Sequence, residues 1–361
     1  MQRLNEKDGD RGAVAVWVAI LLVPLMGFAA LAIDIGAVHA DRQRLQIGAD
    51  AAALAVAHDC AMDSCGDVDA TAQAMATANN PLGGLATGDV TDQSDLAASY
   101  VHVETSAHRD YWFAPALGIS GVDPWAEAAA VWGPPSGGRS SIPFAFAACE
   151  MAGFGVLELD AAGLPIGLNE SAVGKRFTLQ QSKITNPAAC PDKPTSGNWA
   201  AGGFGWLAPD AAAGEEPCSV LTQIGEPVDS ANGNAQGNHD SACYQALRDA
   251  IDLGDDDPTA ASLLPVFRSD TAASLDDPKT YTVVGYVAVT LEGYHFQGNR
   301  CYGETATGGS ACAASAGGNG GWIVIEPQRY IASEADFETS PDAPDLGSAV
   351  VSLTLPREGT P

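Results

Sequence analysis

Between Arg11 and Asp34 the chain carries no charged side chain, and that interval constrains its folding more than any other stretch. Residues 13–33, from Ala13 to its last member Ile33, number 21. At about 1.5 Å of rise per residue such a helix covers roughly 30 Å, the thickness of a bilayer's hydrocarbon core. The expectation is a transmembrane helix. Pro24 removes one backbone donor in mid-span and is expected to kink it, which bilayer helices tolerate. The competing reading is a secretory signal, whose apolar region is shorter, at about 7 to 15 residues. Ala30-Leu31-Ala32 does form the small-residue pattern that a signal peptidase cuts.

Arg3, Lys7 and Arg11 precede the run, Arg42 and Arg44 follow it, and the next basic residue is Arg109. The positive-inside rule then leans toward a cytoplasmic N-terminus. All eight cysteines (Cys60, Cys65, Cys149, Cys190, Cys218, Cys243, Cys301 and Cys312) lie beyond the run and form no zinc-type CxxC pair. An even number in that arrangement reads as disulfides formed outside the reducing cytoplasm. The sequence therefore predicts a single-pass protein of the cell membrane whose C-terminal bulk is extracytoplasmic. Its 17 basic and 45 acidic residues give a net charge of −28, nearly all beyond residue 57. A surface that acidic repels nucleic acid and anionic headgroups, so no nucleic-acid partner is expected.

Helical periodicity continues past the membrane run. Val38, Leu45, Ala49, Ala52 and Val56 recur at helical spacing, and no proline intervenes between Pro24 and Pro81. Residues 1–57 are read as the anchor and its helical extension. Residues 58–133 follow as a small segment with a loop from Cys60 to Cys65 and a second alanine-rich helix over 70–78. Gly133-Pro134-Pro135-Ser136-Gly137-Gly138 reads as a linker, since proline and glycine together disfavour helix and strand. Residues 140–361 are expected to be β-rich, with strands over 281–290 continuing through 291–296 and over 322–325 with Tyr330-Ile331, while 349–355 reads as either a last strand or an extended tail before Pro356. Residues 303–321 read as a hairpin loop. The fold class is α+β.

Searches for catalytic patterns return little. There is no G-x-S-x-G elbow and no H-E-x-x-H, and Gly174-Lys175 is followed by Arg176 without the upstream glycine of a phosphate loop. His239-Asp240-Ser241 holds the residue types of a triad on one loop, where they rarely converge. Glu215-Glu216, Asp255-Asp256-Asp257 and Asp276-Asp277 lack the spaced loop that wraps calcium. Trp199, Trp206 and Trp322 sit among glycines and are read as core, with a glycan platform as the alternative. The expectation is a protein that is not an enzyme and has no catalytic, metal or cofactor-binding residue. Among the cysteines, Cys60 with Cys65 and Cys301 with Cys312 are the favoured short-range pairs. Cys218 with Cys243 and Cys149 with Cys190 remain, and the sequence alone does not choose among connectivities.

One ordered set of residues goes further. Arg11-Gly12-Ala13-Val14-Ala15-Val16, the run with Pro24, Ala32-Ile33-Asp34-Ile35-Gly36, Arg42-Gln43-Arg44-Leu45-Gln46 and Ala49-Asp50-Ala51-Ala52-Ala53-Leu54-Ala55 together resemble the N-terminal signature of TadG-like proteins of the Flp (tight adherence) pilus assembly system. Val101-His102-Val103-Glu104, Phe113-Ala114-Pro115-Ala116-Leu117-Gly118 and Ala126-Glu127-Ala128-Ala129-Ala130-Val131 resemble the strand, short helix and closing strand that follow, and the resemblance implies that 58–133 is a small pilin-like α/β segment with strands. Gly203-Phe204-Gly205-Trp206-Leu207 and Tyr281-Thr282-Val283-Val284-Gly285-Tyr286 resemble the outer region of actinobacterial members.

The resemblance implies a non-catalytic component of pilus assembly, partnered by the membrane and by TadE-like or pilin subunits. Small residues would let helices approach closely: Gly27, Gly36, Gly48, Ala49 and Ala52. Asp34, where the helix leaves the bilayer, would either pair with a basic group of a partner or be hydrated. Two departures narrow this. Gly12 is followed five residues later by Trp17 rather than the glutamate of processed prepilins, so prepilin-peptidase cleavage is not expected. No D-x-S-x-S stretch occurs, so neither a von Willebrand A domain nor its metal site is expected. The rivals are a membrane-tethered hydrolase or glycan-binding module using such an anchor, and a purely structural surface protein.

Overall fold

The computed structural model describes residues 10–80, 86–181, 204–210, 218–231, 241–257, 260–268, 280–315 and 321–357. The chain divides into two compact units, the first comprising 1–60, 65–131 and 353–361, the second 61–64 and 132–352. The fold is α+β: a long apolar helix followed by β-rich structure with disulfides.

In the first unit, helix α1 (Asp10–Ala61) runs unbroken through Pro24. Residues 15–33 pack against almost nothing, and the helix is long and apolar enough there to cross a membrane. From Asp34 onward a buried stripe emerges through Asp34, Asp41, Leu45, Gly48, Ala49, Ala52, Ala53, Val56 and Ala57. That spacing is one helical face, and what covers it is the rest of the unit. Helix α2 (Val68–Asn79) is capped by the Asp67 carboxylate, which accepts from the Ala70 N–H at 3.1 Å. Strands β1 (Ala86–Val90), β2 (Tyr100–Ala107) and β5 (Trp125–Gly133) form an antiparallel sheet in that order. Between β2 and β5, β3 (Arg109–Asp110) and β4 (Gly121–Val122) make a short hairpin. Leu45, Ala76, Ala86, Ala107 and Ala126 form the small apolar cluster joining helices and sheet. The Cys60–Cys65 disulfide closes the turn between the helices.

Alanine and glycine dominate this unit because its helices and sheet lie very close together. The buried face of α2 (Val68, Ala72 and Ala76) lies on β1, and the Gln73 amide donates to the Ala86 carbonyl at 2.7 Å while accepting from the Gly88 N–H at 3.2 Å. Asp69 accepts from the Val90 N–H at 3.2 Å. These side chains satisfy the outer edge of β1, a position that otherwise invites foreign strands.

In the second unit, β6 (Pro135–Ser140), β7 (Phe144–Ala147), helix α3 (Ala148–Gly153), β8 (Leu157–Leu159), β9 (Pro165–Leu168), β10 (Phe177–Gln180), β11 (Phe204–Leu207), β12 (Val220–Gln223) and β13 (Pro227–Ala231) come first. Helix α4 (Ala242–Asp256), β14 (Ser262–Phe267), β15 (Thr280–Phe296), β16 (Arg300–Gly303), β17 (Gly321–Gln328), β18 (Tyr330–Ala332), β19 (Phe337–Thr339) and β20 (Ser348–Thr354) follow. The pairing β15–β13–β11–β7–β14 returns to β15, so these five strands close a circuit, with β17, β10 and β16 built onto the far half of β15. The seventeen residues of β15 carry it, bulged between Leu291 and Gly293. The core holds an edge-on contact between Phe144 and Trp206, ring centres 4.4 Å apart, and a tilted one between Trp206 and Phe296, 5.4 Å apart. Amphipathic α4 covers them with Tyr244, Leu247 and Ile251.

The proline- and glycine-rich segment 133–138 is not a linker. Pro135–Ser140 is a strand paired on one side with β12 and on the other with β19. Composition misleads because Gly138 lies under the Phe337 ring and the Asp336 carbonyl, where any Cβ would collide. Tyr330 and Ile331 likewise belong to a separate strand, pairing in parallel with β20 rather than extending β17.

Gly88 yields a direct test. A Cβ there would stand 2.6 Å from the Ala72 carbonyl oxygen and 2.8 Å from the Ala76 Cβ. Gly88→Ala is expected to destabilise the first unit by about 1 to 3 kcal/mol, read as a lowered denaturation midpoint. Gly27→Ala, which meets nothing within 4 Å, should not.

Candidate functional site

The feature most suited to function in the first unit is the place where the bare half of α1 becomes the buried half. Asp34 is the first charged residue after the apolar run, and its side chain is only 3% exposed. One carboxylate oxygen accepts from the Trp112 N–H at 2.9 Å, and the other accepts from Phe113 at 3.0 Å and Ala114 at 2.8 Å. These three donors open a 3₁₀ turn, Ala114–Leu117, whose own cap residue Phe113 offers no side-chain acceptor. A helix start leaves N–H groups unpaired and favours negative charge, so Asp34 caps from 78 to 80 residues away. Asp34 is thus neither hydrated nor available to a partner's basic group, contrary to both readings of the sequence.

One helical repeat further on, Asp41 is 2% exposed and is neutralised by two arginines. Arg44 reaches one oxygen at 3.1 Å and Arg109 the other at 3.2 Å. The Arg109 guanidinium also lies 5.3 Å above the Trp112 ring, which links this pair to the turn held by Asp34. Next, the Thr105 hydroxyl donates to the Leu45 carbonyl at 2.9 Å, and the Gln46 amide donates to the Glu127 carbonyl at 2.9 Å. Gly48 then admits Ala76, whose Cα would be 3.3 Å from any added Cβ. Ala49 and Ala52 are fully buried.

The small residues Gly48, Ala49 and Ala52 therefore serve helix packing inside the unit and are not exposed for packing between proteins. Periodicity revealed the face but not what covers it. At about 100° per residue, Asp41, Leu45 and Ala52 lie within roughly 20° of the line through Asp34. Gly36 lies roughly 160° away, with Ala32 and Ala40 four residues to either side. Nothing stands within 4 Å of a Cβ added at Gly36 or at Gly27. Gly27, however, shares the Asp34 line, so the two glycines face opposite ways.

The β3–β4 hairpin carries the turn that Asp34 holds. His108 clamps its base, with Nδ1 2.6 Å from an Asp123 oxygen and Nε2 3.3 Å from an Asp110 oxygen. Hydrogen bonds to Asp123 first, and then to Asp110, raise the His108 pKa above its usual value.

Other candidates have structural surroundings. Trp206 and Trp322 are buried, 1% and 6% exposed, which removes them as an open glycan platform. Trp199, His239, Asp240, Glu215, Glu216, Asp276 and Asp277 lie outside the described residues, and Asp255 and Asp256 close the C-terminal end of α4. Cys218 bonds Cys243 and Cys301 bonds Cys312. The Cys149–Cys190 pairing falls on Cys190, outside the described residues. In the second unit Arg176 centres an ionic cluster, contacting Glu292, with Glu304 at 2.8 Å and Glu326 at 3.6 Å. Burial pushes the Glu292 carboxyl up despite Arg176. Among the described residues no group of three or more histidine, cysteine, aspartate or glutamate side chains is placed to hold a metal ion.

Sequence reading missed Arg109, Thr105 and His108, and it placed a short helix over 113–118 by resemblance without its bond to Asp34. The signal present was Tyr111-Trp112-Phe113, three consecutive aromatics in a chain that is 7% aromatic.

The His108 clamp has a pH sign. A histidine with a raised folded pKa contributes stability at low pH and loses it as pH rises through that value. The Tyr111 N–H, bonded to the Ser120 carbonyl at 3.0 Å across the hairpin, reports the change. Its exchange protection, corrected for intrinsic rate, is expected to fall as pH rises above 6.5. In His108→Gln it should be lower and flat across the same range.

No curated protein and no solved structure matches this chain. Residues 12–59, which hold the bare run, Asp34 and the whole buried stripe through Ala57, match the model of a family described as putative Flp pilus-assembly TadE/G-like.

Proposed function

We propose that this chain is a non-catalytic, single-pass component of Flp pilus assembly, of the actinobacterial TadG-like kind, with its N-terminus in the cytoplasm and both folded units outside. The observation that carries the reading is the coincidence of the family match with a helix used in two ways. Over 12–59 the chain matches a pilus-assembly family, and within that range residues 15–33 are bare while the stripe from Asp34 is covered by the chain's own first unit. Lateral contact with TadE-like or pilin partners then falls to the uncovered side. There Ala32, Gly36 and Ala40 form a small-xxx-small row, the pattern that lets helix backbones approach closely in lipid.

Two substitutions separate association from folding. Gly36→Leu adds bulk where nothing lies within 4 Å and should leave the melting temperature unchanged. It should also lower crosslinking to the other pilus-assembly membrane proteins severalfold. Ala49→Leu overfills a fully buried site and is expected to cost about 1 to 3 kcal/mol of stability in the first unit. Normal crosslinking and adherence in a folded Gly36→Leu protein would reduce α1 to a tether. For topology, a reporter fused at the C-terminus should be active only outside the cytoplasm. Cytoplasmic activity would reverse the orientation.

A further inference from the structure

We propose that the tip of the β3–β4 hairpin is a second membrane contact, seating Trp112, Phe113 and Ile119 in the interfacial layer of the leaflet from which α1 emerges. The inference rests on the reading of residues 13–33 as a bilayer span. Three observations converge on it. Trp112, Phe113 and Ile119 are 68%, 47% and 54% exposed, an apolar surface that water disfavours. The ten residues 111–120 contain no charge, in a chain whose net charge is −28.

The third observation fixes the height. The backbone of Trp112, Phe113 and Ala114 is bound to the carboxylate of Asp34, the residue that ends the uncharged run. Wherever that run leaves the hydrocarbon, the tip is held beside it. Tryptophan favours this layer because its ring is apolar and its N–H is polar. The nearest cation, Arg109, is already paired with Asp41 and lies over the Trp112 ring, so the tip presents an aromatic surface rather than a bare charge. The ligand this chemistry suits is the headgroup and upper acyl region of a zwitterionic phospholipid. Anionic lipid is disfavoured by the acidic remainder of the chain. Asp34 is then a positioning residue. It holds the turn at the depth where its side chains meet lipid.

The test uses the full chain reconstituted in vesicles of phosphatidylcholine brominated high on its acyl chains. Bromine quenches a nearby indole, and subtracting the emission of Trp112→Phe from that of the parent isolates the Trp112 share. Trp17→Phe isolates the share of Trp17, which lies within the apolar run and reports the span independently. The expected result is quenching of the Trp112 share by at least about twofold relative to unbrominated vesicles, with the Trp17 share quenched as well. Asp34→Ala should relieve the Trp112 quenching and leave that of Trp17 intact.

A Trp112 share that stays unquenched while Trp17 is quenched would overturn the proposal and place the tip in water or against a second copy of the chain. If neither is quenched, the span reading itself fails. If Trp112 remains fully quenched in Asp34→Ala, depth is not set by the tether, and the positioning role of Asp34 is overturned.

Discussion

The Asp34 carboxylate and the three N–H groups it accepts from govern the architecture of the first unit. A charge that directly follows 22 uncharged residues needs compensation close by, because burial without hydrogen bonds is costly. The turn at 112–114 needs the same thing in reverse, since its N–H groups have no capping side chain of their own. Each group removes the other's deficit. The contact also joins the end of the bare stretch of α1 to the β3–β4 hairpin, 78 to 80 residues further along the chain. Everything between residues 35 and 110 folds within that closed loop.

Within the loop, α1 changes character without changing conformation. Below Asp34 its apolar side chains point in all directions, as suits a surrounding that is apolar on all sides. Above it, apolar residues collect on one stripe and are mostly alanine and glycine. Such residues bury little area each, roughly in proportion to their size. They lose almost no side-chain entropy and allow backbones to meet, as at Gly48 with Ala76 and Gly88 with Ala72. Stability then comes from closeness and from hydrogen bonds such as Thr105 to Leu45. The same economy makes the unit intolerant of added methyl groups at those contacts.

What the sequence made legible is local. The apolar run, the helix continuing beyond it, the second alanine-rich helix near Val68–Asn79 and the strand over 281–296 follow from periodicity and propensity, whereas the strands around 101–104 and 126–131 follow only from the family resemblance. What it hid is long-range. Ala49 and Ala52 displayed a packing face, but a face does not name its occupant, and the chain's own α2 and sheet fill it. Asp34 is bonded to residues about 80 positions away, and nothing in its neighbourhood encodes that distance. The closed strand circuit of the second unit was equally invisible, because it depends on β15 pairing along both edges. Gly138 reads as flexibility when its actual use is room for Phe337.

The charge balance carries the remaining logic. With 45 acidic and 17 basic residues, a carboxylate that enters a protected site competes for few cations. Arginine answers this by serving several at once. Arg176 contacts Glu292, Glu304 and Glu326, and Arg329 contacts Glu170 and Asp63, whereas the buried Asp41 takes two arginines, Arg44 and Arg109. A planar guanidinium with several donors can do this, whereas a lysine ammonium offers a point charge. Such partly buried pairs are screened less by salt than the repulsion among exposed carboxylates, whose range shrinks to about 10 Å at 0.1 M ionic strength. Added salt therefore weakens the repulsion among exposed carboxylates more than a protected pair such as Arg109 with Asp41, whose side chains are 17% and 3% exposed.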